Sequence, residues 1–433
     1  MTAAAMPQAL PDTGWTDARA RAALRHLFDV AVASADPAQM LAQHLPARPR
    51  GRCIVVGAVK AAAAMAAATD AAWPDVDLTG VVVVPYGYGM SAGRITVREA
   101  AHPVPDAASA AAAREILSAV TGLGADDLVL VLISGGGSSV MALPVDGISL
   151  ADKQAVARLL LASGLDIRTM NMVRRRLSAI KGGKLLAAAH PARVVTLGIS
   201  DIPGDDVAAI ASGPSVPDPT AMVDLHPVVD LLGDGLPAAV RATLLAPPSE
   251  TPVAHSFDFR LIGTPAAALD AAAAAARALG LDPVLLGDDL EGDSQALGRE
   301  MAALCRRGVR SPTVLLSGGE TTVLLNGGGY GRGGRNTEFA LALACALDGA
   351  AGVWALAGDT DGEDGASGAA GAVIAPDTIA RSSAAGMQAR IFLDGHDSAT
   401  LFDRIEDLVV TGPTRTNVND FRAVLVLPRE ERQ

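Results

Sequence analysis

The sequence is poor in aromatic residues and cysteines, and both scarcities narrow the class of protein. Only 3% of its 433 residues are aromatic while 50% are hydrophobic, so alanine and valine must fill the core. Alanine favours helices and valine favours strands, which suits a close-packed α/β protein better than a β-sandwich or a coiled coil. The three cysteines, Cys53, Cys305 and Cys345, are odd in number and form no CxxC pair. We therefore expect buried, reduced thiols in a cytoplasmic protein.

The chain also lacks a basic excess, a long apolar run and a metal-binding histidine pattern. Its formal net charge of −12 argues against a nucleic-acid partner, which would require a basic face. No stretch reaches the roughly 18 apolar residues of a membrane span, and the N-terminus does not resemble a signal peptide. The seven histidines lack zinc-ligand spacing. These absences predict no membrane and no nucleic-acid partner, and they leave a homo-oligomer possible.

Strand-like apolar runs alternate with helix-length segments along most of the chain. This alternation predicts parallel sheets covered by helices on both faces. A Gly- and Pro-rich stretch at 230–257 is the best linker candidate, and the alternation starts again after it. Because the chain is too long for one ordinary core, we predict two α/β domains with a cleft between them.

Two glycine-rich turns, each preceded by a strand-like run, are the most informative motifs. The first is LISGGGSS, with Ser134, Gly135, Gly136, Gly137, Ser138 and Ser139. In the second, GRGGRNTE, Arg335 and Asn336 begin a predicted helix. Glycines let backbone N–H groups approach an anion closely, and a nearby arginine adds bidentate donors. Together the turns indicate a protein that binds a phosphorylated ligand and a small acid, although either alone could be an ordinary turn.

Ionisable side chains follow several of the predicted strands. Ligands of open α/β sheets bind beyond the carboxyl ends of the strands. The residues at these positions are Lys60, Ser134 to Ser139, Ser200, Asp201, Ser317 to Glu320 and Asp359 to Asp364. A cation, an anion cradle and two carboxylate clusters suit phosphoryl transfer, with carboxylates binding Mg²⁺. Taken singly, the lysine could be a surface residue and the acids could be helix caps.

Signatures of the common kinases and dehydrogenases are absent or incomplete. Leu185 follows Gly183 and Lys184, so no GxxxxGK[ST] motif is present. A GxGxxG match at Gly329, Gly331 and Gly334 lacks the βαβ setting and the acid about 20 residues on that a dinucleotide site requires. It leaves a nicotinamide cofactor as a weak alternative.

Eight stretches of the sequence resemble one known family, the bacterial and animal glycerate 2-kinases, whose C-terminal part is the MOFRL domain. They follow the family's order from about residue 20 to residue 430. The stretches are AHPVPD (101–106), LISGGGSS (132–139), NMVRRRLSAIKGGKL (171–185), SDIPGDDVAAIASGPSVPDPT (200–220), SGGETTV (317–323), GRGGRNTE (331–338), DTDGEDG (359–365) and TGPTRTNVND (411–420).

The resemblance implies a fold, a domain division and a reaction. The expected fold is α/β, with an N-terminal Rossmann-like parallel sheet sandwiched by helices over 1–240. A C-terminal mixed-sheet α/β domain of the MOFRL type is expected over 255–433. The implied reaction is ATP- and Mg²⁺-dependent phosphorylation of D-glycerate at its 2-hydroxyl, which gives 2-phosphoglycerate and ADP.

The resemblance, combined with the strand-end positions, also implies roles for residues. The catalytic candidates are Lys60, Arg335 and Asp201. The phosphate-binding candidates are Ser134, Gly135, Gly136, Gly137, Ser138, Ser139 and Lys181. The substrate-binding candidates are Arg335, Asn336, Glu320 and Asp361, and the metal-binding candidates are Asp201 and Asp361. Which acid acts as the base stays open.

The chain departs from the family's pattern at two positions, and two other functions stay open. Val59 stands where the family favours glycine, and Arg176 stands where it favours histidine. Some relatives of the family are called hydroxypyruvate reductases, which would require NAD(P)H. The third alternative is a non-catalytic sugar-acid-binding protein, although binding alone needs fewer ionisable strand ends.

Overall fold

The computed structural model describes residues 14–135, 139–202, 204–247, 257–325 and 330–428. The strands are β1 (Cys53–Ala58), β2 (Leu78–Pro85), β3 (Ile95–Ala100), β4 (Leu128–Ser134), β5 (Arg193–Ile199), β6 (Asp258–Gly263), β7 (Asp282–Leu285), β8 (Gly292–Asp293), β9 (Thr313–Ser317), β10 (Thr321–Thr322), β11 (Val353–Asp359), β12 (Gly371–Ile374), β13 (Leu408–Val409) and β14 (Asp420–Val426).

Helices connect most of these strands. They are α1 (Asp17–Ala33), α2 (Pro37–Met40), α3 (Ala62–Ala72), α4 (Ala107–Val120), α5 (Leu150–Ala162), α6 (Ile167–Arg176), α7 (Lys184–Ala188), α8 (His226–Leu232), α9 (Ala238–Leu245), α10 (Pro265–Ala278), α11 (Ser294–Arg306), α12 (Arg335–Leu347), α13 (Thr378–Ala384), α14 (Ala389–Asp394) and α15 (Ser398–Arg404). Short 3₁₀ turns lie at Leu41–His44, Ile210–Ser212 and Gly233–Gly235.

The first sheet is parallel and has the strand order β3-β2-β1-β4-β5-β6. Every residue of β1 and β4 is buried, which explains their unbroken apolar sequences, since helices cover both faces of the sheet. This is the Rossmann strand order, and its direction reverses between β1 and β4. The predicted Rossmann-like sheet is confirmed, and its crevice lies at the carboxyl ends of these two strands.

The second sheet is mixed and has the strand order β13-β12-β11-β14-β9-β7. Its pairs are antiparallel except β7 with β9, which are parallel. The predicted mixed sheet is therefore confirmed. In this sheet Asp359, the last residue of β11, pairs in register with Asp420, the first residue of β14. The antiparallel pairing thus places two carboxylates side by side at one end of the sheet.

One hydrophobic core runs between the two sheets and includes residues of α1, α3 and α10. Helix α1 carries Leu24, Leu27 and Phe28 into this core, and each such side chain contributes about 1.5–3 kcal/mol when fully buried. The Phe28 ring meets the Phe421 ring of β14 edge to face at 6.0 Å. The N-terminal helix therefore packs on the second sheet, which holds the two sheets together beside the cleft.

The predicted linker at 230–257 is wrong in its first part. Helices α8 and α9 lie there and pack with α5 and α6 in a separate helical cluster. Gly233, with φ of +56°, and Pro237 form the turn between two packed helices rather than a flexible connection. Strand β6 lies beyond the predicted boundary yet pairs with β5 of the first sheet, so the ranges 1–240 and 255–433 stay a prediction.

Within the described ranges, no helix combines the length and the apolar character needed to cross a bilayer. The cytoplasmic location stays a prediction.

Candidate active site

Lys60 lies in the turn between β1 and α3, at the point where the strand order reverses. The backbone N–H of Ala61 donates to the Ser134 hydroxyl at 3.2 Å, which ties the end of β1 to the end of β4. Val59, just before the lysine, has φ of +94°, a conformation that glycine adopts freely and a β-branched residue does not. Such strain costs about 1–3 kcal/mol, and it would be absent from the glycine that the family resemblance predicts at this position.

The Lys60 side chain reaches from the first sheet to the acidic loop after β11. Its Nζ lies 2.5 Å from Asp361 Oδ2 and 3.9 Å from Glu363 Oε2. The Tyr88 ring lies beneath the ammonium group at 5.5 Å, and the Tyr88 hydroxyl donates to Glu363 at 2.6 Å. Burial by itself lowers the pKa of Lys60, but the charge of Asp361, with those of its acidic neighbours, raises it overall. The lysine is therefore a fixed cation that joins the two sheets.

Asp201 follows β5 and lies against the glycine-rich turn. A Cβ atom at Gly135 would come within 1.6 Å of the Asp201 carboxylate, so only glycine permits this approach. The Asn417 amide donates to Asp201 Oδ2 at 3.2 Å, and the Asn419 amide donates to its backbone carbonyl at 3.1 Å. Burial, together with the negative charge of Glu320, raises the pKa of Asp201 to about 7. The carboxylate therefore lies between the two halves of the chain without a strong cationic partner.

Arg335 is the first residue of α12 and is surrounded by carboxylates. Its Nε donates to Asp420 at 2.8 Å, its Nη1 to Glu320 at 2.6 Å and its Nη2 to Asp359 at 2.7 Å. Burial by itself lowers the pKa of Arg335, but the charges of these acids raise it by more, so the pKa lies above its ordinary value and the guanidinium stays charged. Burial and the charge of Asp361 raise the pKa of Asp359 well above its ordinary value, while Arg335 lowers it. The network is complete without a ligand.

The N-terminus of α12 is occupied by the carboxylate of Asp364. This side chain accepts from the backbone N–H groups of Asn336 at 2.8 Å and Thr337 at 2.9 Å. Burial raises the pKa of Asp364 to about 6, although these hydrogen bonds lower it. The Asn336 amide donates to Asp420 at 2.7 Å, and its Oδ1 has no hydrogen-bond partner in the part of the chain that the structure describes. Asn336 thus lies beneath the Arg335 network, fully buried.

Lys60, Arg335, Asp201, Glu320, Asp361 and Asn336 are accordingly brought to one cleft. The predicted phosphate cradle is described only in part, because Gly136, Gly137 and Ser138 lie outside the described residues. Lys181 is buried near Lys153 and Arg174, and burial and these like charges lower its pKa well below the ordinary value. Its role in phosphate binding stays a prediction.

Four residues of the cleft are absent from the predicted set: Tyr88, His102, Asp420 and Asn417. Three of them lie in the stretches AHPVPD and TGPTRTNVND, so the resemblance to the family could have identified them. Their positions relative to the predicted strands could not. Tyr88 has no such signal, because it lies in a loop after β2.

The chain is similar to known proteins over nearly its whole length. A domain of unknown function called DUF4147 matches residues 23–245, and the MOFRL family matches residues 313–420. A protein of Agrobacterium vitis called "Putative hydroxypyruvate reductase" is 57% identical over 95% of this chain and 96% of its own length. A D-glycerate 2-kinase of Thermotoga maritima is 36% identical over 90% of this chain and 94% of its own length. A crystal structure of glycerate kinase from Thermotoga maritima matches with a TM-score of 0.85 and 33% identity, covering 94% of this chain and 99% of that one.

Proposed function

Because the chain belongs to the glycerate 2-kinase family, we propose that it transfers the γ-phosphoryl group of ATP to the 2-hydroxyl of D-glycerate. The products are 2-phosphoglycerate and ADP. The observation that carries this proposal is the contact between Lys60 and Asp361. Through this contact a fixed cation lies at the crevice of a Rossmann sheet, beside a glycine-rich turn and opposite the acidic loop after β11.

Lys60 is suited to stabilise charge on the transferring phosphoryl group. Phosphoryl transfer depends mainly on positioning and on electrostatic stabilisation of charge that moves to the leaving group. The lysine side chain is 15% exposed, so it is shielded from water and still reachable from the cleft. Ser134 and Gly135, at the end of the neighbouring strand, begin the turn that would hold the nucleotide phosphates.

Arg335 is suited to hold the glycerate carboxylate, provided that one of its present partners moves. Glu320 is 53% exposed, whereas Asp359 and Asp420 are 5% and 0% exposed. The Glu320 contact is therefore the easiest of the three to displace, because its carboxylate regains full hydration. A substrate carboxylate could then take its place on Nη1 while the two buried acids keep the guanidinium oriented.

The residues of the cleft also fit Mg²⁺ bound mainly through nucleotide phosphates. Within the described ranges, no three His, Cys, Asp or Glu side chains converge as a ready-made metal centre. Mg²⁺ in kinases commonly uses only one or two carboxylates besides phosphates and water. Asp201 fits this role best, since its buried carboxylate lacks a strong cationic partner, whereas Asp361 already pairs with Lys60. Bound Mg²⁺ would supply charge neutralisation on the phosphates.

A hydroxypyruvate reductase is the second candidate, and the name of the Agrobacterium vitis relative favours it. Its cofactor would require the GxGxxG turn to hold a pyrophosphate at the N-terminus of α12. The Asp364 carboxylate already occupies that N-terminus, and a Cβ at Gly334 would lie 2.3 Å from the Asp364 carbonyl oxygen. Gly334 thus serves packing against the acidic loop, so we favour the kinase. A non-catalytic sugar-acid-binding protein is the third candidate.

One pair of assays separates these functions. We expect the purified protein to consume ATP only with D-glycerate and a divalent cation, and the product to feed enolase directly. Enolase accepts 2-phosphoglycerate and not the 3-isomer, so the coupled assay reports the position of phosphorylation. EDTA should abolish turnover. Oxidation of NADH with hydroxypyruvate and indifference to ATP would refute the kinase, and activity in neither assay would favour the binding protein.

A further inference from the structure

His102 lies in the loop after β3 and is held by the glycine-rich turn. Its Nδ1 is 2.8 Å from the Ser139 hydroxyl oxygen, and that hydroxyl lies 3.5 Å from the Ala101 carbonyl oxygen. If Ser139 donates to this carbonyl, Nδ1–H must donate to Ser139, which leaves the lone pair on Nε2. The 2.8 Å contact with Ser139 orients the ring, and the donation from Ser139 to Ala101 is the arrangement that leaves Nε2 free to accept a proton.

The other ring nitrogen of His102 is available to a ligand. In the described part of the chain Nε2 makes no hydrogen bond, and the side chain is partly enclosed by the cleft while part of it stays open to solvent. The charged groups that act on the ring are Lys60 and Asp361, which belong to the two opposite sides of the cleft.

The imidazole is also in the protonation state that a base requires. Burial and the positive charge of Lys60 lower the pKa of His102, and the charge of Asp361 opposes this only in part. The ring is therefore neutral at neutral pH. By contrast, Asp361 is paired with Lys60, and Asp201 is the better metal-binding candidate.

We propose that His102 is the general base of the reaction, a role that rests on the proposed kinase function. Nε2 accepts the proton of the 2-hydroxyl as the hydroxyl oxygen attacks the γ-phosphorus. The new O–P bond forms while the bond from the γ-phosphorus to the bridging oxygen breaks, and that electron pair leaves with ADP. The imidazolium then releases its proton to solvent. Ser139 acts as a positioning residue, because it fixes the ring and its tautomer.

The test compares His102→Gln with His226→Gln in the enolase-coupled assay. His226 is an exposed histidine that pairs with Asp224, so it is a matched control. Loss of general base catalysis typically costs 10²–10⁴-fold, so we expect kcat to fall by about 10²-fold with little change in the KM for ATP. Wild-type kcat should decline on the acidic side, at a pH below the ordinary pKa of histidine, and this decline should disappear in His102→Gln. Ser139→Ala should lower kcat less and keep the decline.

A binding measurement on the wild type covers the case in which a variant does not fold. The ¹⁵N resonances of the His102 ring, followed by NMR during titration with D-glycerate, should shift while those of His226 do not. Two results would overturn the role of His102 as the base while leaving the kinase function intact in an active wild type. One is a kcat of His102→Gln within threefold of the wild-type value, and the other is a set of His102 resonances that do not shift with D-glycerate. A wild type inactive with ATP and D-glycerate overturns the kinase and the base together.

Discussion

The ends of the two sheets face one cleft, yet they carry charge in opposite ways. At the first sheet, Lys60 is a single cation that reaches across the cleft to Asp361, and the β4 turn beside it carries the uncharged side chains of Ser134 and Ser139. At the second sheet, Arg335 is enclosed by Glu320, Asp359 and Asp420 at 2.6–2.8 Å. A network of this kind keeps its shape without a ligand, because each buried charge is already compensated.

The difference suggests a division of work between the two sheets. The first sheet supplies an adaptable cradle and a cation for phosphates, as parallel sheets do at the point where strand order reverses. The second sheet supplies Arg335 and its three carboxylate partners, Glu320, Asp359 and Asp420, which we call the wall. This preorganised wall is suited to orient a small acid. Lys60 lies at the end of the first sheet and contacts the acidic loop of the second, so it joins both regions.

Replacing Lys60 should have the largest effect. Lys60→Ala removes the side chain that is proposed to stabilise charge on the transferring phosphoryl group, so kcat should fall by about 10²-fold or more. The variant also leaves Asp361, which is 4% exposed, without its partner and should therefore lower the melting temperature. Adding Asp361→Asn should restore the melting temperature but not turnover. Arg98→Ala, which breaks an exposed pair with Glu115, is the control. Near-normal turnover in folded Lys60→Ala would remove the catalytic role.

Replacing Arg335 tests the wall of the second sheet. Arg335→Lys keeps the charge but loses the fork that contacts three carboxylates, so we expect kcat/KM for D-glycerate to fall by about tenfold or more. The KM for ATP should change little, because the nucleotide is assigned to the other sheet. Steady-state kinetics with each substrate varied in turn measure both constants. A change in the KM for ATP alone would show that Arg335 acts on the nucleotide and not on D-glycerate.

The acidic loop after β11 should matter less than either cation. Asp361→Asn keeps the shape of the side chain but removes the charge that orients Lys60, so we expect kcat to fall by roughly tenfold. Asp377→Asn is the matched control, since Asp377 is exposed and pairs with Arg381 one helical turn away. Kinetics and thermal unfolding of both variants provide the comparison. Equal changes in kcat for Asp361→Asn and Asp377→Asn would show that the acidic loop has a purely structural role.

The fold was largely predictable because its strongest elements are locally encoded. Buried strands such as β1 and β4 are continuous apolar runs, and α5 begins with a Ser149 and Asp152 capping box. The short strands β12 and β13 could not be predicted, since two to four residues carry no periodic signal and are fixed by their neighbours. The helices of the predicted linker were missed because Gly233 and Pro237 outweighed the apolar positions around them.

The candidate site was predictable where a residue directly follows a strand. Lys60, Asp201 and Asp361 all do so, and the structure brings them to one cleft. His102 and Tyr88 lie in loops, where only the three-dimensional path of the chain decides what they face. The sequence also could not reveal that Arg335 is already occupied by carboxylates, because Asp420 reaches it through antiparallel pairing across 85 positions.

The smallest expected effect concerns Asp364, which caps α12 and supports the wall without facing a ligand. Because burial raises its pKa from 3.8 to about 6, the folded protein holds this proton more tightly than the unfolded chain does. Its contribution to the free energy of unfolding is therefore greatest below about pH 4 and declines as the pH rises through 6, by at most about 1.4 kcal/mol per pH unit. Asp364→Asn carries no charge and retains one acceptor for the two N–H groups, so we expect it to lower stability by about 1 kcal/mol at pH 4, where the wild-type carboxyl is protonated. It should also flatten the pH dependence between pH 4 and 6. Urea unfolding at several pH values, with Asp377→Asn as the exposed control, measures both effects, and an unchanged slope in Asp364→Asn would show that the carboxylate titrates alike in both states.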